Sequence, residues 1–243
     1  MEGVSDENRK FLRHGEKGVT YRLQEAFLEE FGDSAEITEF YFPKDCPAFC
    51  RGCAICVRKD PNLCREAEYI QKIDKAMREA DLLVFSSPAY VFHTTGAMKA
   101  FLDHFAYRWM PHRPAAEMFG KRAVIITQCL GGGGKSAAKD IKDSLSWWGV
   151  SDIRVRSFKL MSEIEWDRLP DKKRSEMTGS VKALARKLAS VDYSKRAHAN
   201  IVTKSKFYVV RMLQTALGKS NPEYIDFNYW KANGWLGKVR PWK

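Results

Sequence analysis

Five of the six cysteines fall between Cys46 and Cys64, and four of them, Cys50, Cys53, Cys56 and Cys64, follow a Cys-x2-Cys-x2-Cys-x7-Cys pattern. Thiols this close together have iron–sulfur-like spacing. The same set can instead hold zinc, form a disulfide pair or stay as reduced thiols. Cys46 lies outside the pattern, and Cys129 reads as a small buried side chain. The first residues, Met1 to Arg13, lack the apolar stretch of a secretory signal. A cytoplasmic protein is therefore expected, and a structural disulfide framework is not.

Two loops carry a different chemistry. The first runs Ser87-Pro88-Ala89-Tyr90-Val91-Phe92-His93-Thr94 and leads into Thr95-Gly96. Pro88 stops a strand because it cannot donate to the ladder, and Thr94 or Thr95 can cap the next helix. Tyr90 and Phe92 can wall a flat ring, or serve as core aromatics of a strand–turn–helix corner. His93 can face the same ring site and polarise a carbonyl or quinone, although a single loop histidine usually does neither. The second loop runs Thr127-Gln128-Cys129-Leu130-Gly131-Gly132-Gly133-Gly134-Lys135. Its glycines let backbone approach a ligand, and it feeds a helix N-terminus that favours anions. Its end mimics a nucleotide-triphosphatase loop, but the G-x-x-x-x-G-K-[ST] spacing fails. Arg108, His112 and Arg113 can bind a nicotinamide phosphate, shape a subunit contact or sit in solvent.

The elements that must position these loops follow from periodicity. Leu82 to Phe85 and Ala123 to Ile126 are short continuous apolar runs, the signature of buried parallel strands. Each is preceded and followed by helical patterns: one from about Glu66 to Ala80, one from Thr95 to Tyr107 and one from Lys135 to Trp148. A helix from about Thr20 to Gly32 and a strand from Ala35 to Phe40 come earlier. A more polar edge strand from Ile153 to Phe158 and a helix from about Lys173 to Ala189 come later. Serial strand–helix units predict a parallel sheet covered on both faces, with ligands outside the carboxyl ends of the strands. Both loops leave such ends.

Glu79-Ala80-Asp81-Leu82-Leu83-Val84-Phe85-Ser86-Ser87-Pro88-Ala89-Tyr90, followed by Gly96-Ala97-Met98-Lys99-Ala100-Phe101-Leu102-Asp103, resembles the NADPH-dependent FMN reductases of the flavodoxin-like superfamily. The resemblance extends from about Gly15 to Ala189. It implies an α/β doubly wound sheet of order 2-1-3-4-5, bound FMN, hydride transfer from NAD(P)H, and a homodimer or higher homo-oligomer. It implies that the ring is bordered by Ser87 to Thr94 and by Thr127, Gln128, Gly131, Gly132 and Gly133. The cofactor then carries the reaction to a small-molecule acceptor or redox protein, and no acid–base side chain is required. The phosphate loop corresponds to His14 to Thr20, with Gly18 and Thr20 as contacts. Glu7 to Arg13 is not an apolar run, so the first strand is expected to be atypical or missing. The cysteine pattern resembles that of archaeal-type iron–sulfur flavoproteins, which implies a [4Fe–4S] cluster as an alternative electron-carrier reading. A non-catalytic relative is the third.

The 243 residues carry a formal charge of +11, and 44% of them are hydrophobic, enough for a real core. From Val191 onward there are ten Lys or Arg against three Asp or Glu, so most of the surplus sits in the tail. The chain therefore divides into an FMN-binding domain over 1–190 and a basic aromatic extension over 191–243, with a helix from Ile201 to Leu217. The extension is expected to pack on the domain or on a partner subunit, in preference to a membrane surface. No nucleic-acid partner is expected, because the front part is close to charge balance.

Overall fold

The computed structural model describes the backbone of residues 9–14 and all atoms of residues 18–32, 35–162 and 165–243. Five parallel strands form one sheet: β1 (Arg9–His14), β2 (Ala35–Phe40), β3 (Leu82–Pro88), β4 (Arg122–Leu130) and β5 (Asp152–Leu160), in the order β2-β1-β3-β4-β5. The helices are α1 (Val19–Leu28), α2 (Ile55–Arg58), α3 (Ala67–Glu79), α4 (Gly96–His104), α5 (Gly134–Trp148), α6 (Asp171–Ala189), α7 (Ile201–Ser220) and α8 (Ile225–Ala232).

The first strand, expected to be atypical or missing, is present and lies between β2 and β3. Parallel pairing is a backbone interaction and does not itself require an apolar run. The contact with β3 is short, Phe11 to Arg13 against Leu82 to Val84.

Leu82–Phe85 of β3 and Ala123–Ile126 of β4 are apolar on every residue because both of their faces are covered. Leu83, Phe85, Ala123 and Ile125 face a core shared with Ile73 and Met77 of α3, Phe101 of α4 and Ile141 and Trp148 of α5. Leu82, Val84, Val124 and Ile126 face the opposite core, with Leu23 and Phe27 of α1 and Val181 and Leu184 of α6. At the end of α5, Gly149 adopts φ 110, and a Cβ there would meet the Phe119 ring at 2.8 Å.

The extension from Val191 onward forms a third cluster. Phe207 and Val210 of α7, Trp230 of α8 and Trp235 pack on Met110 and Phe119. Trp230 Nε1 donates to the His112 carbonyl at 2.9 Å, and Gln214 Nε2 donates to that of Pro111 at 2.6 Å.

Lys121, at the start of β4, is buried and donates its ammonium to the Ala80 carbonyl. Burial pushes it down to about 8 from 10.5. The folded chain thus releases this proton at lower pH than the unfolded chain. Its burial opposes folding in full below about pH 8, and the penalty fades as pH rises towards 10.5. Lys121→Met is expected to stabilise the fold at pH 7 by about 1–2 kcal/mol after loss of the hydrogen bond. Urea midpoints measured across pH should show this gain shrinking above pH 8; a constant gain would contradict the assignment.

Candidate functional site

The carboxyl ends of β3 and β4 open into a cleft of about 380 Å³. Pro88, Ala89, Tyr90, Val91 and Phe92 form one wall, and Gln128, Leu130 and Gly132 form the other. The walls are joined where the Ala89 N–H donates to the Gln128 carbonyl at 2.7 Å.

The first wall is a tight two-residue turn. Tyr90 and His93 exchange both backbone hydrogen bonds, at 2.8 and 3.0 Å. Val91 and Phe92 at the corner have φ 47 and 67. Such turns ordinarily take Asn-Gly, and a β-branched residue in this region is strained. The strain is about 1–3 kcal/mol per residue and persists only where the surroundings impose it. Here it projects three apolar side chains outward, with Tyr90 and Phe92 69% and Val91 87% exposed.

The surroundings that impose it come from the second loop and from α5. Gly133, with φ 91, sits so close that a Cβ would lie 2.7 Å from Phe92 Cα. The Asp140 carboxylate of α5 accepts the Thr94 N–H at 3.0 Å and lies 3.1 Å from His93 Nδ1. Ser136 Oγ is 3.4 Å from the same nitrogen. Asp140 carried no signal in the sequence, where it reads as one more charge on a helix.

The predicted contacts separate by role. Pro88 to Phe92, Gln128 and Gly132 line the cleft, and Gly131 lies exposed beside it. Ser87, Thr94 and Thr127 are buried and hold the loops in shape. Thr94 Oγ1 donates to Ser87 Oγ at 2.8 Å, that same oxygen accepts the Thr95 N–H at 3.2 Å, and Thr127 Oγ1 donates to the Gly134 carbonyl at 3.1 Å. Thr95 is the cap of α4, accepting from Met98 N at 3.3 Å. His93 is outside the cleft lining, turned to Asp140. Gly18 is the residue before α1, which no side chain caps, and Thr20 is buried in its first turn. Gly15 to Lys17 of the expected phosphate loop lie outside the described residues.

Gln128 Oε1 is buried without a hydrogen-bond partner. A buried amide oxygen left alone costs about 1–3 kcal/mol. The cleft itself offers flat apolar side chains and close backbone, which suits an aromatic ring system.

Asp140→Ala removes the acceptor for Thr94 N–H and the partner of His93. A loss of about 1–2 kcal/mol is expected. Hydrogen exchange of the amides from Tyr90 to Thr95 should accelerate while those of β4 hold; unchanged exchange in the turn would contradict this role.

The cysteines occupy the segment between β2 and α3. Cys56 is pushed up by burial and then by the neighbouring thiols of Cys64, Cys50 and Cys53, so each of these three lies within electrostatic reach of Cys56. Burial pushes Cys46 up to about 12, consistent with an inert thiol. All six thiols are free. The described residues include no group of three or more His, Cys, Asp or Glu placed to hold a metal ion. Thiolates repel until an ion gathers them, so ligand sets of this kind are rarely preformed.

Arg108 and Arg113 are internal ties. Arg108 clasps the buried Asp74 through Nε at 2.7 Å and Nη2 at 2.5 Å. Arg113 donates to the carbonyls of Cys56, Val57 and Lys59, and its Nε lies 3.2 Å from the Asp226 carboxylate. His112 Nδ1 reaches the same carboxylate at 2.8 Å. These commitments leave Arg108 and Arg113 as poor phosphate ligands, unlike the nicotinamide role considered for them.

The family model described as NADPH-dependent FMN reductase matches residues 12–163. An iron–sulfur flavoprotein of Archaeoglobus fulgidus is 26% identical over 56% of this chain and 60% of its own length. An FMN-dependent NADH:quinone oxidoreductase of Pseudomonas putida is 30% identical over 30% of this chain and 42% of its own. The chain thus spans about half the length of these relatives. Among solved structures, an FMN-dependent NADH-azoreductase of Bacillus anthracis in complex with FMN superposes with a TM-score of 0.57 at 15% identity, covering 75% of this chain and all of that one. The match to the family model covers most of the chain, including both loops and the cysteine segment, and the protein belongs to the NADPH-dependent FMN reductase family.

Proposed function

We propose that the chain binds FMN in the cleft between Pro88–Phe92 and Gln128–Gly132 and acts as an NAD(P)H-dependent FMN oxidoreductase, with a small molecule or redox protein as acceptor. The observation that carries this reading is the strained apolar turn that walls the cleft at the carboxyl ends of β3 and β4. The β2-β1-β3-β4-β5 order supports a flavodoxin-like sheet, with ligand at the carboxyl ends of its strands.

When bound, FMN accepts a hydride from the nicotinamide and returns two electrons to the acceptor. The residues of the chain position the reactants. Tyr90, Val91 and Phe92 give the ring an apolar bed, with Gln128 on the facing wall. Asp140 holds the turn rigid through Thr94 N–H and His93. Gly18 and the start of α1 are suited to the phosphate. A homo-oligomer is part of this proposal, as is the division into an FMN domain over 1–190 and an extension over 191–243.

Purified chain incubated with FMN should take up flavin, show its absorption bands anaerobically, and oxidise NADH or NADPH continuously with a quinone present. A colourless protein that retains no FMN would overturn the reading. Flavin uptake with no nicotinamide oxidation would favour the non-catalytic relative.

The nearness of Cys50, Cys53 and Cys64 to Cys56 supports a second reading, an electron carrier in which these thiols hold a [4Fe–4S] cluster beside the flavin. Iron and acid-labile sulfide in anaerobically purified protein decide it; protein free of both removes it.

A further inference from the structure

α7 has two unlike sides. One is buried: Thr203, Phe207, Val210, Gln214 and Gly218 face the domain and α8. The other carries Ile201, Val202, Val209, Met212, Leu213 and Leu217, which recur at helical spacing and are 36–79% exposed. A contiguous apolar stripe on a helix surface marks a place of interaction.

The charges around the stripe indicate what it meets. α7 has Lys204, Lys206, Arg211 and Lys219 and no Asp or Glu. Arg211 is tied to the Leu236 carbonyl at 2.8 Å, and Lys206 lies over the Trp147 ring and donates to Ser146 Oγ at 2.7 Å. Lys204 and Lys219 are exposed on the same helix. Arg240 lies over the Tyr208 ring, adding a further cation beside it. Two copies packed through this face would bring like charges together, which disfavours a second chain as occupant.

We propose that the exposed face of α7 docks on an anionic lipid surface, with the helix lying in the plane of the interface. Aliphatic side chains enter the acyl boundary while the flanking bases meet lipid phosphates. No described helix is long and apolar enough to cross a membrane, so the contact is peripheral. Phe207 and Trp230, both fully buried, fasten the helix to the domain. The expected packing of the extension thus accounts for one side of α7 only. This inference is independent of the flavin reading.

The test is co-sedimentation of the full chain with vesicles of phosphatidylcholine, alone or with about 30% phosphatidylglycerol. Partitioning onto the anionic vesicles should be about tenfold stronger and should weaken as salt rises from about 0.1 M to 0.5 M. Val209→Glu with Met212→Glu should lower binding at least about tenfold while circular dichroism and melting stay unchanged. Val209→Ser with Met212→Ser, which leaves the charge alone, should lose binding in the same direction. Failure of the wild-type chain to bind anionic vesicles overturns the proposal. So does binding that ignores both variants. So does a self-associated species in sedimentation velocity that these variants dissolve, since a second copy would then cover the face.

Discussion

Gly133→Ala is expected to weaken FMN binding at least about tenfold and to destabilise the fold by about 1–3 kcal/mol. Two effects add at this position. Its φ of 91 is one that L side chains rarely adopt, and the new Cβ would lie 2.7 Å from Phe92 Cα. The second contact is with backbone, so no rotamer change relieves it. Either α5 shifts at its first turn or the Val91–Phe92 turn moves outward, and both widen the cleft. Only about 1.4 kcal/mol of lost preorganisation is needed for a tenfold effect. Gly131→Asn is the control. Gly131 has φ 70 but nothing within 4 Å of a Cβ, and Asn tolerates that conformation. It should leave the urea stability nearly unchanged. FMN titration and urea unfolding of the two variants check this, and equal behaviour would show that the Phe92 contact does not shape the cleft.

Asp226→Ala is expected to cost about 3–5 kcal/mol, the largest stability effect of any single charge change proposed for this chain. Asp226 is fully buried in α8. It accepts the Tyr224 hydroxyl at 3.0 Å, lies 2.8 Å from His112 Nδ1, and faces Arg113 Nε at 3.2 Å without hydrogen-bond alignment. Arg113 is itself buried, and removing the carboxylate leaves its charge uncompensated. The other end of the guanidinium holds the carbonyls of Cys56, Val57 and Lys59, so the cysteine segment should loosen with it. Asp226→Asn keeps the volume and an acceptor and should lose less. Urea unfolding gives the energies, and faster reaction of the Cys50, Cys53, Cys56 and Cys64 thiols with a disulfide reagent reports the loosening. Wild-type reactivity in Asp226→Ala would sever the proposed link. Tyr224 gives an independent signal: burial, with Asp226 beside it, pushes its hydroxyl up to about 12, and Asp226→Asn should bring it down.

Much of this architecture is legible from the amino acids in order. The runs Leu82–Phe85 and Ala123–Ile126 announce strands covered on both faces, because only a strand with no wet face dispenses with alternation. Their ends, at Pro88 and at the glycines from Gly131 to Gly134, mark the cleft before any coordinates are known. The aromatic tail is equally visible, since Phe207, Trp230 and Trp235 have no reason to recur in a solvated segment. β1 is present though its sequence is not an apolar run, because its pairing is made by backbone and leaves little trace in side-chain pattern.

The tertiary structure alone decided what touches what. Ser87, Thr94 and Thr127 are the pins of their loops. Asp140 and Asp226 are 46 to 114 residues from the groups they hold, and no local pattern encodes a partner at such separation. Arg113 reads as a surface cation and is buried between the cysteine segment and α8. Sequence periodicity reports which face of an element is buried; a buried charge is kept only where folding delivers its partner, and that partner belongs to the three-dimensional arrangement.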